Sequence, residues 1–153
     1  MNKHGQTVCL NMIVKDEAHI INRCLTSVLP LIDSWLIVDT GSTDGTQTVI
    51  REFLSELPGE LVKRPWLNFA HNRSEALEFA RSNADYLLIM DADDTLEIDQ
   101  GFELPLLTAD AYCLEILYAG HAYRRRQLIR TALPWRYVGV QHEYLTCPDT
   151  VSE

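Results

Sequence analysis

The sequence predicts a Rossmann-like α/β domain, in which a mostly parallel central sheet has helices on both faces and is followed by a C-terminal antiparallel hairpin. Three observations lead there. Four short apolar, β-prone runs alternate with segments of helical periodicity up to Met90, an order that builds parallel strands with right-handed crossovers. The run Y-L-L-I-M from Tyr86 to Met90 has the length of one buried parallel strand, and it passes straight into D-A-D-D, Asp91 to Asp94. Beyond Asp94 the alternation stops, and two strand-like runs flank a tight turn.

Taken in order, Thr7 to Val14 is the first strand, bounded by Lys15, Asp16 and Glu17. Ala18 to Leu29 places Ile20, Ile21, Cys24, Leu25, Val28 and Leu29 on one helical face, and Pro30 closes it. Trp35 to Val38 is a second strand ending at Asp39. The turn-rich T-G-S-T-D-G-T follows, where Gly41 and Gly45 accept positive φ and Ser42, Thr43 or Asp44 can cap a helix over Thr46 to Leu54. A G-x-x-x-G without a following lysine is no Walker loop. Glu60 to Arg64 is a third strand, Asn68 to Ser82 a third helix, and Tyr86 begins the fourth strand. Leu104 to Leu107 reads as loop or a short helical turn. Ala111 to Leu117 and Tyr123 to Ile129 read as the hairpin around Tyr118 to Ala122, and Trp135, Tyr137, Val138 and Val140 surround Gly139 before His142 and Glu143.

With 153 residues and 46% hydrophobic content, the chain is one domain's worth and can bury a real core. A net charge of -9 argues against nucleic acid or an anionic membrane as the main partner, since no basic excess is available to neutralise phosphates. Cys9, Cys24, Cys113 and Cys147 show no C-x-x-C pairing and read as buried free thiols of a cytoplasmic protein. No apolar run approaches the roughly 20 residues that span a bilayer, and the start lacks a signal-peptide core.

The chemistry-bearing residues are acids at strand ends. Asp16 or Glu17 follows strand one, Asp39 follows strand two, and Asp91 and Asp93 follow strand four. The carboxyl edge of such a sheet is where ligands bind. Like charges so close repel unless a cation or a set of donors compensates, and carboxylate oxygens suit Mg²⁺ or Mn²⁺. A solvated acidic turn that merely ends a strand is the alternative. Arg124, Arg125, Arg126 and Arg130 form a basic cluster, read first as the solvated edge of the hairpin and second as a hand on phosphates or an acidic acceptor. His142 beside Glu143, downstream of the acidic loop, is a candidate site pair.

Five ordered blocks, V-C-L-N-M-I-V-K-D-E, L-I-V-D-T-G-S-T-D-G-T, N-F-A-H-N-R-S-E-A-L, M-D-A-D-D and W-R-Y-V-G-V-Q-H-E, strongly resemble family 2 glycosyltransferases of GT-A fold. The likeness is greatest to bacterial members that carry helical repeats after the catalytic domain. The resemblance implies an inverting transfer of sugar from a nucleoside diphosphate sugar, a UDP-sugar in most members, to an acceptor hydroxyl of unknown identity. Carried over, Val14 and Glu17 line the nucleoside pocket, Asp39 accepts from the nucleobase imide, and Arg73 steadies the nucleotide. Asp91 contacts ribose or a metal-bound water, and Asp93 ligates Mn²⁺ or Mg²⁺. Glu143 is assigned as the base and His142 as a further metal ligand, with Asp94 the competing base. Relatives continue beyond the H-E block, so residues 1 to 153 are expected to be one nucleotide-sugar-binding domain truncated on its acceptor side.

Rival classes fit less well. A phosphoacceptor receiver needs an aspartate ending strand three and a lysine ending strand five, whereas strand three ends K-R-P and no lysine follows Lys63. A sugar-phosphate nucleotidyltransferase needs a glycine-rich loop after strand one, where K-D-E-A stands. A non-catalytic nucleotide-sugar binder remains the alternative.

Overall fold

Strand β1 (Val8–Val14) is apolar on both faces because both faces are covered. Val8, Leu10, Met12 and Val14 join one core with Ile21, Cys24, Leu25 and Val28 of α1 (Ile21–Val28) and Ile50 of α2 (Thr46–Phe53). On the opposite face Cys9 joins Leu36 and Val38 of β2 (Ser34–Asp39) in a second core, with Ala76, Leu77 and Ala80 of α3 (Phe69–Ala80). The computed structural model describes residues 1–139, 142–149 and 152–153. Val140, expected near Gly139, lies outside them.

The remaining strands are β3 (Gly59–Lys63), β4 (Tyr86–Ile89), β5 (Ala111–Tyr118), β6 (His121–Arg130), β7 (Arg136–Val138) and β8 (Tyr144–Thr146). Six of them form one sheet in the order β3-β2-β1-β4-β6-β5, and β7 pairs with β8 separately. The first four strands are parallel, while β6 runs antiparallel to both β4 and β5. The expected α/β architecture, with helices on both faces and an antiparallel hairpin, is the observed one. β1 is central, so its C-terminal end lies between those of β2 and β4.

Complete burial of Ile21, Leu25, Val28 and Ile50, each stabilising by about 1.5–3 kcal/mol, fixes the α1/α2 layer. On the other face Asn11 is buried, and its amide donates to Ala76 O at 2.9 Å and Leu36 O at 3.4 Å. That satisfied polar group ties α3 to the sheet at a defined height.

Helix α1 starts three residues later than its apolar periodicity predicts. Asp16 has a left-handed φ of 54°, and the Glu17 and Ala18 amides are taken by Thr46 Oγ1 (2.8 Å) and Asp44 Oδ2 (3.0 Å). The turn that follows uses Glu17 O as acceptor for the Ile20 and Ile21 amides. The hairpin turn is also tighter than expected: only Ala119 and Gly120 separate the strands, both at positive φ (48° and 81°), the geometry a two-residue turn requires. Only Cys9 and Cys24 of the four free cysteines are buried; Cys113 is exposed and Cys147 half-buried. Among the described residues no helix is long and apolar enough to cross a membrane.

Trp35 lies over Gly59, its neighbour across the β2–β3 ladder, and donates its indole N–H to Leu57 O at 3.0 Å. A Cβ on Gly59 would sit 2.3 Å from the indole ring. Gly59→Ala is expected to cost about 1–3 kcal/mol by overpacking, read as a lowered urea midpoint; an unchanged midpoint would show that the ring moves aside freely.

Candidate functional site

The C-terminal ends of β1 and β4 and the N-terminal part of α3 enclose a cleft of about 450 Å³. Val14, Glu17, Arg73, Asp91 and Asp93 all line it. Five of the residues singled out from the sequence thus share one cavity.

Two loops build one wall. Thr40 donates to Val14 O through both its amide (2.9 Å) and its hydroxyl (3.1 Å). Asp16 Oδ1 accepts from the Thr43 amide at 2.7 Å, and Ser42 Oγ accepts from the Asp16 amide at 2.9 Å. The loop after β2 therefore latches onto the loop after β1. Asp44 accepts from the Thr46 amide and hydroxyl, and the Thr46 hydroxyl bond above all holds its carboxyl below the usual range. Helix α2 is entered through Gly45 at φ 94°, with no side-chain cap on the N-cap residue itself.

Asp39 is buried at the end of β2, beside Val14 in register. Its Oδ1 accepts from the Gly41 and Ser42 amides and from Gln47 Nε2, each at 3.0 Å. Its Oδ2 is equally buried and has no hydrogen-bond partner among the described residues. A buried carboxylate oxygen left without a donor costs free energy unless something supplies one.

Asp91 receives Arg73 Nη2 on Oδ1 at 2.7 Å and Arg125 Nη1 on Oδ2 at 3.5 Å. Arg125 Nη2 also meets Asp94 Oδ2 at 2.7 Å. The reading of the arginine cluster as a solvated edge is corrected for Arg125: β6 lies between β4 and β5, with β5 at the edge, and Arg125 supplies the donors that the acidic loop needs. Arg126 pairs with Glu153, and Arg130 with Asp110 at 3.3 Å. Burial works against the charge on Arg73, but Asp91, Tyr137 and Glu143 outweigh it and raise its pKa above the usual arginine value.

Asp93 is exposed in the cleft wall, and its carboxylate has no ion pair or hydrogen bond among the described residues. Its backbone carbonyl accepts from Arg23 at 3.0 Å. Burial, and next the charge of Asp93, push the Glu17 carboxyl upward. The cleft lining thus sets three carboxylates, Glu17, Asp91 and Asp93, against two cations, Lys15 and Arg73. Hard oxygen donors of this kind suit a divalent cation taking one or two carboxylates plus ligand phosphates, so the residues present fit Mn²⁺ or Mg²⁺. Among the described residues no three His, Cys, Asp or Glu side chains form a ready metal cage.

Glu143 Oε1 lies 3.6 Å from Arg73 Nε and faces a separate cavity. His142 is exposed and lines neither cavity. Gly139, at φ 106°, has His142 O where a Cβ would sit, 2.6 Å away, so glycine is required for the chain to pass that close.

Trp66 and Phe69, to which sequence patterning assigns no site role, stand on the cleft wall in an edge-to-face pair with centroids 4.8 Å apart. Both are more than 40% exposed. Their loop is held rigidly, since fully buried Asn72 donates to Pro65 O and accepts from the Leu67 amide, each at 3.0 Å. The available signal was a tryptophan between Pro65 and the helix cap Asn68, where no periodicity demands one. A cavity of about 250 Å³ lined by Val8, Leu88, Leu96 and Leu128 is mainly apolar and lies apart from these groups.

The sequence model of the family described as "Glycosyl transferase family 2" matches residues 9–137. The chain belongs to glycosyl transferase family 2. Over 98 residues it is 36% identical to a TPR repeat-containing protein of Synechococcus elongatus, an alignment covering 63% of this chain and 23% of that protein. Over 98 residues it is 33% identical to an uncharacterized glycosyltransferase of Rickettsia bellii, covering 64% and 31% respectively. The chain therefore spans only about a quarter to a third of the length of these relatives. Its backbone superposes on S. aureus TarS residues 1–349 with a TM-score of 0.51 at 18% identity, covering 58% of this chain and 28% of that one. The fold is that of the GT-A glycosyltransferases.

Cys24 Sγ lies against the acidic loop, 3.4 Å from Asp91 O, and burial followed by Asp94, Asp91 and Asp93 pushes its thiol up to about 12. Because the thiolate is the reactive form, iodoacetamide at pH 8 should label exposed Cys113 first and spare Cys24 until unfolding, as followed by peptide mass spectrometry. Equal labelling of both would mean that the acidic loop does not cover Cys24 as described.

Proposed function

We propose that this domain transfers a sugar, with inversion, from a UDP-sugar held with Mn²⁺ or Mg²⁺ to an acceptor hydroxyl. The observation that carries this is the cleft itself, which combines aromatic and aliphatic walls at its β1–β3 end with an uncompensated carboxylate, Asp93, at its β4 end. A nucleoside diphosphate has that polarity: a planar base, a ribose, then two phosphates that need a cation.

In this reading the base lies near Val14, Thr40 and Trp66, and Asp39, which is buried beside Val14 and does not itself line the cleft, is assigned to accept its imide N–H. Glu17 and Asp91 face the ribose, and Asp93 would hold the cation; His142, the further ligand that the family resemblance implies, stands outside the cleft lining. Arg73 steadies the nucleotide and holds Asp91. The cation, when bound, offsets the negative charge that develops on the departing diphosphate. Glu143 takes the proton of the acceptor hydroxyl as the new C1–O bond forms and the bond from C1 to the phosphate oxygen breaks, its electron pair leaving with UDP. The reaction is placed in the cytoplasm, where four free cysteines stay reduced.

A second structure of TarS 1–349, similar to this chain with a TM-score of 0.50 and 17% identity, is a complex with UDP-GlcNAc. That ligand belongs to TarS, and it supports a nucleotide-sugar here only through the shared fold. Binding without any turnover would favour the alternative, a donor-binding domain that does no chemistry.

Trp66 is the one exposed tryptophan of three, Trp35 and Trp135 being buried, so UDP binding should change its fluorescence. Calorimetry should show UDP affinity that depends on Mn²⁺, reduced in Asp93→Asn by at least the ~10–100-fold typical of lost support at a metal site; metal-independent binding would remove Asp93 from its role. Glu143→Gln is expected to retain UDP binding and to lower transfer by about 10²-fold or more. Transfer near the unmodified rate would rule Glu143 out as the base.

A further inference from the structure

A second cavity, of about 370 Å³, is lined by Arg124, Arg125, Arg126, Tyr137, Glu143 and Tyr144, among others. Two ion pairs span the partition between it and the cleft. Arg73 to Glu143 and Arg125 to Asp91 each have one member lining either cavity. The carboxylate assigned above as the base is therefore reached from this second cavity.

The charge of this cavity runs against that of the chain. The protein carries a net charge of -9, yet three guanidiniums gather here around two carboxylates, Glu143 and Glu153. Arg125 is committed to the acidic loop and Arg126 to Glu153. Arg124 is exposed and makes no ion pair among the described residues, although Glu115 stands opposite it across the β5–β6 ladder. Protection of a free edge does not account for these residues, because β6 is covered by β5. Guanidinium forks match the oxygens of phosphate and carboxylate, and a local basic patch is what lets an acidic protein hold an anion.

We infer that this cavity is the acceptor site, and that the acceptor is a hydroxyl compound bearing a phosphate or carboxylate close to the hydroxyl it offers. This rests on the glycosyltransferase reading. The anion sits on Arg124 and on the Nη1 donors that Arg126 does not give to Glu153, the hydroxyl meets Glu143 in the wall of this same cavity, and its proton leaves to Glu143 as the glycosidic bond forms and the sugar's bond to UDP breaks.

The test compares three probes with one carbon skeleton: glycerol, glycerate and glycerol 3-phosphate. Binding is followed by ligand-observed NMR with UDP and Mg²⁺ saturating, so that the donor cleft is filled. Glycerate, glycerol 3-phosphate or both should bind while glycerol does not, and the stronger of the two identifies the anion. Arg124→Gln, at an exposed position, should weaken the anionic probe about tenfold; Arg126→Gln serves if that variant does not fold. Equal signals from glycerol and the anions, or undiminished anion binding in a variant that still binds UDP, would overturn the inference. Failure of the unmodified protein to bind UDP by calorimetry would instead overturn the glycosyltransferase reading.

Discussion

The rim of this sheet depends on the contact between Arg73 and Asp91. Parallel strands deliver carboxylates to one edge, and without partners those charges would push the loop after β4 apart. Arg73 answers from α3, half enclosed between the rings of Phe69 and Tyr137, and Arg125 answers from β6. The two guanidiniums neutralise Asp91 and Asp94 and leave Asp93 unmatched. Removing either guanidinium would also release a partly buried carboxylate, so the shape of the loop after β4 depends on both.

Most of the architecture was legible because buried parallel strands leave continuous apolar runs, and those from Thr7, Trp35 and Tyr86 each end where the sheet ends. Element edges were less legible where side chains far apart in sequence compete for backbone donors. The start of α1 was misplaced because Thr46 and Asp44 take the Glu17 and Ala18 amides, an arrangement that helical periodicity does not encode. Among the site residues, Glu17, Asp91 and Asp93 could be placed together from their positions at strand ends, and Val14 and Arg73 only through the family resemblance. Trp66 and Arg125 could not. The first depends on a loop held by a buried asparagine, and the second on β6 pairing with β4 rather than forming a free edge. Asp39 was placed correctly at the edge, but its contacts with its own loop amides depend on turn geometry, which the string of residues does not reveal.

The latch between the first two loops makes them one body. Asp16, Ser42, Thr43, Asp44 and Thr46 exchange bonds so that the β1 and β2 ends cannot move independently. Strain is accepted at Asp16, a non-glycine residue in the left-handed region, to make this possible. The result is a preformed wall, which lowers the ordering cost that any ligand meets on entry.

The amide of Asn11 has a mechanical consequence. Because it reaches from the middle of β1 to a carbonyl within α3, that helix cannot slide along its own axis without stranding a buried donor. Arg73 lies about one turn before that carbonyl, so its height above the acids is set from inside the protein. The helix behaves as a pinned shaft rather than a piston, and adjustment at the rim falls to side chains and to the hairpin.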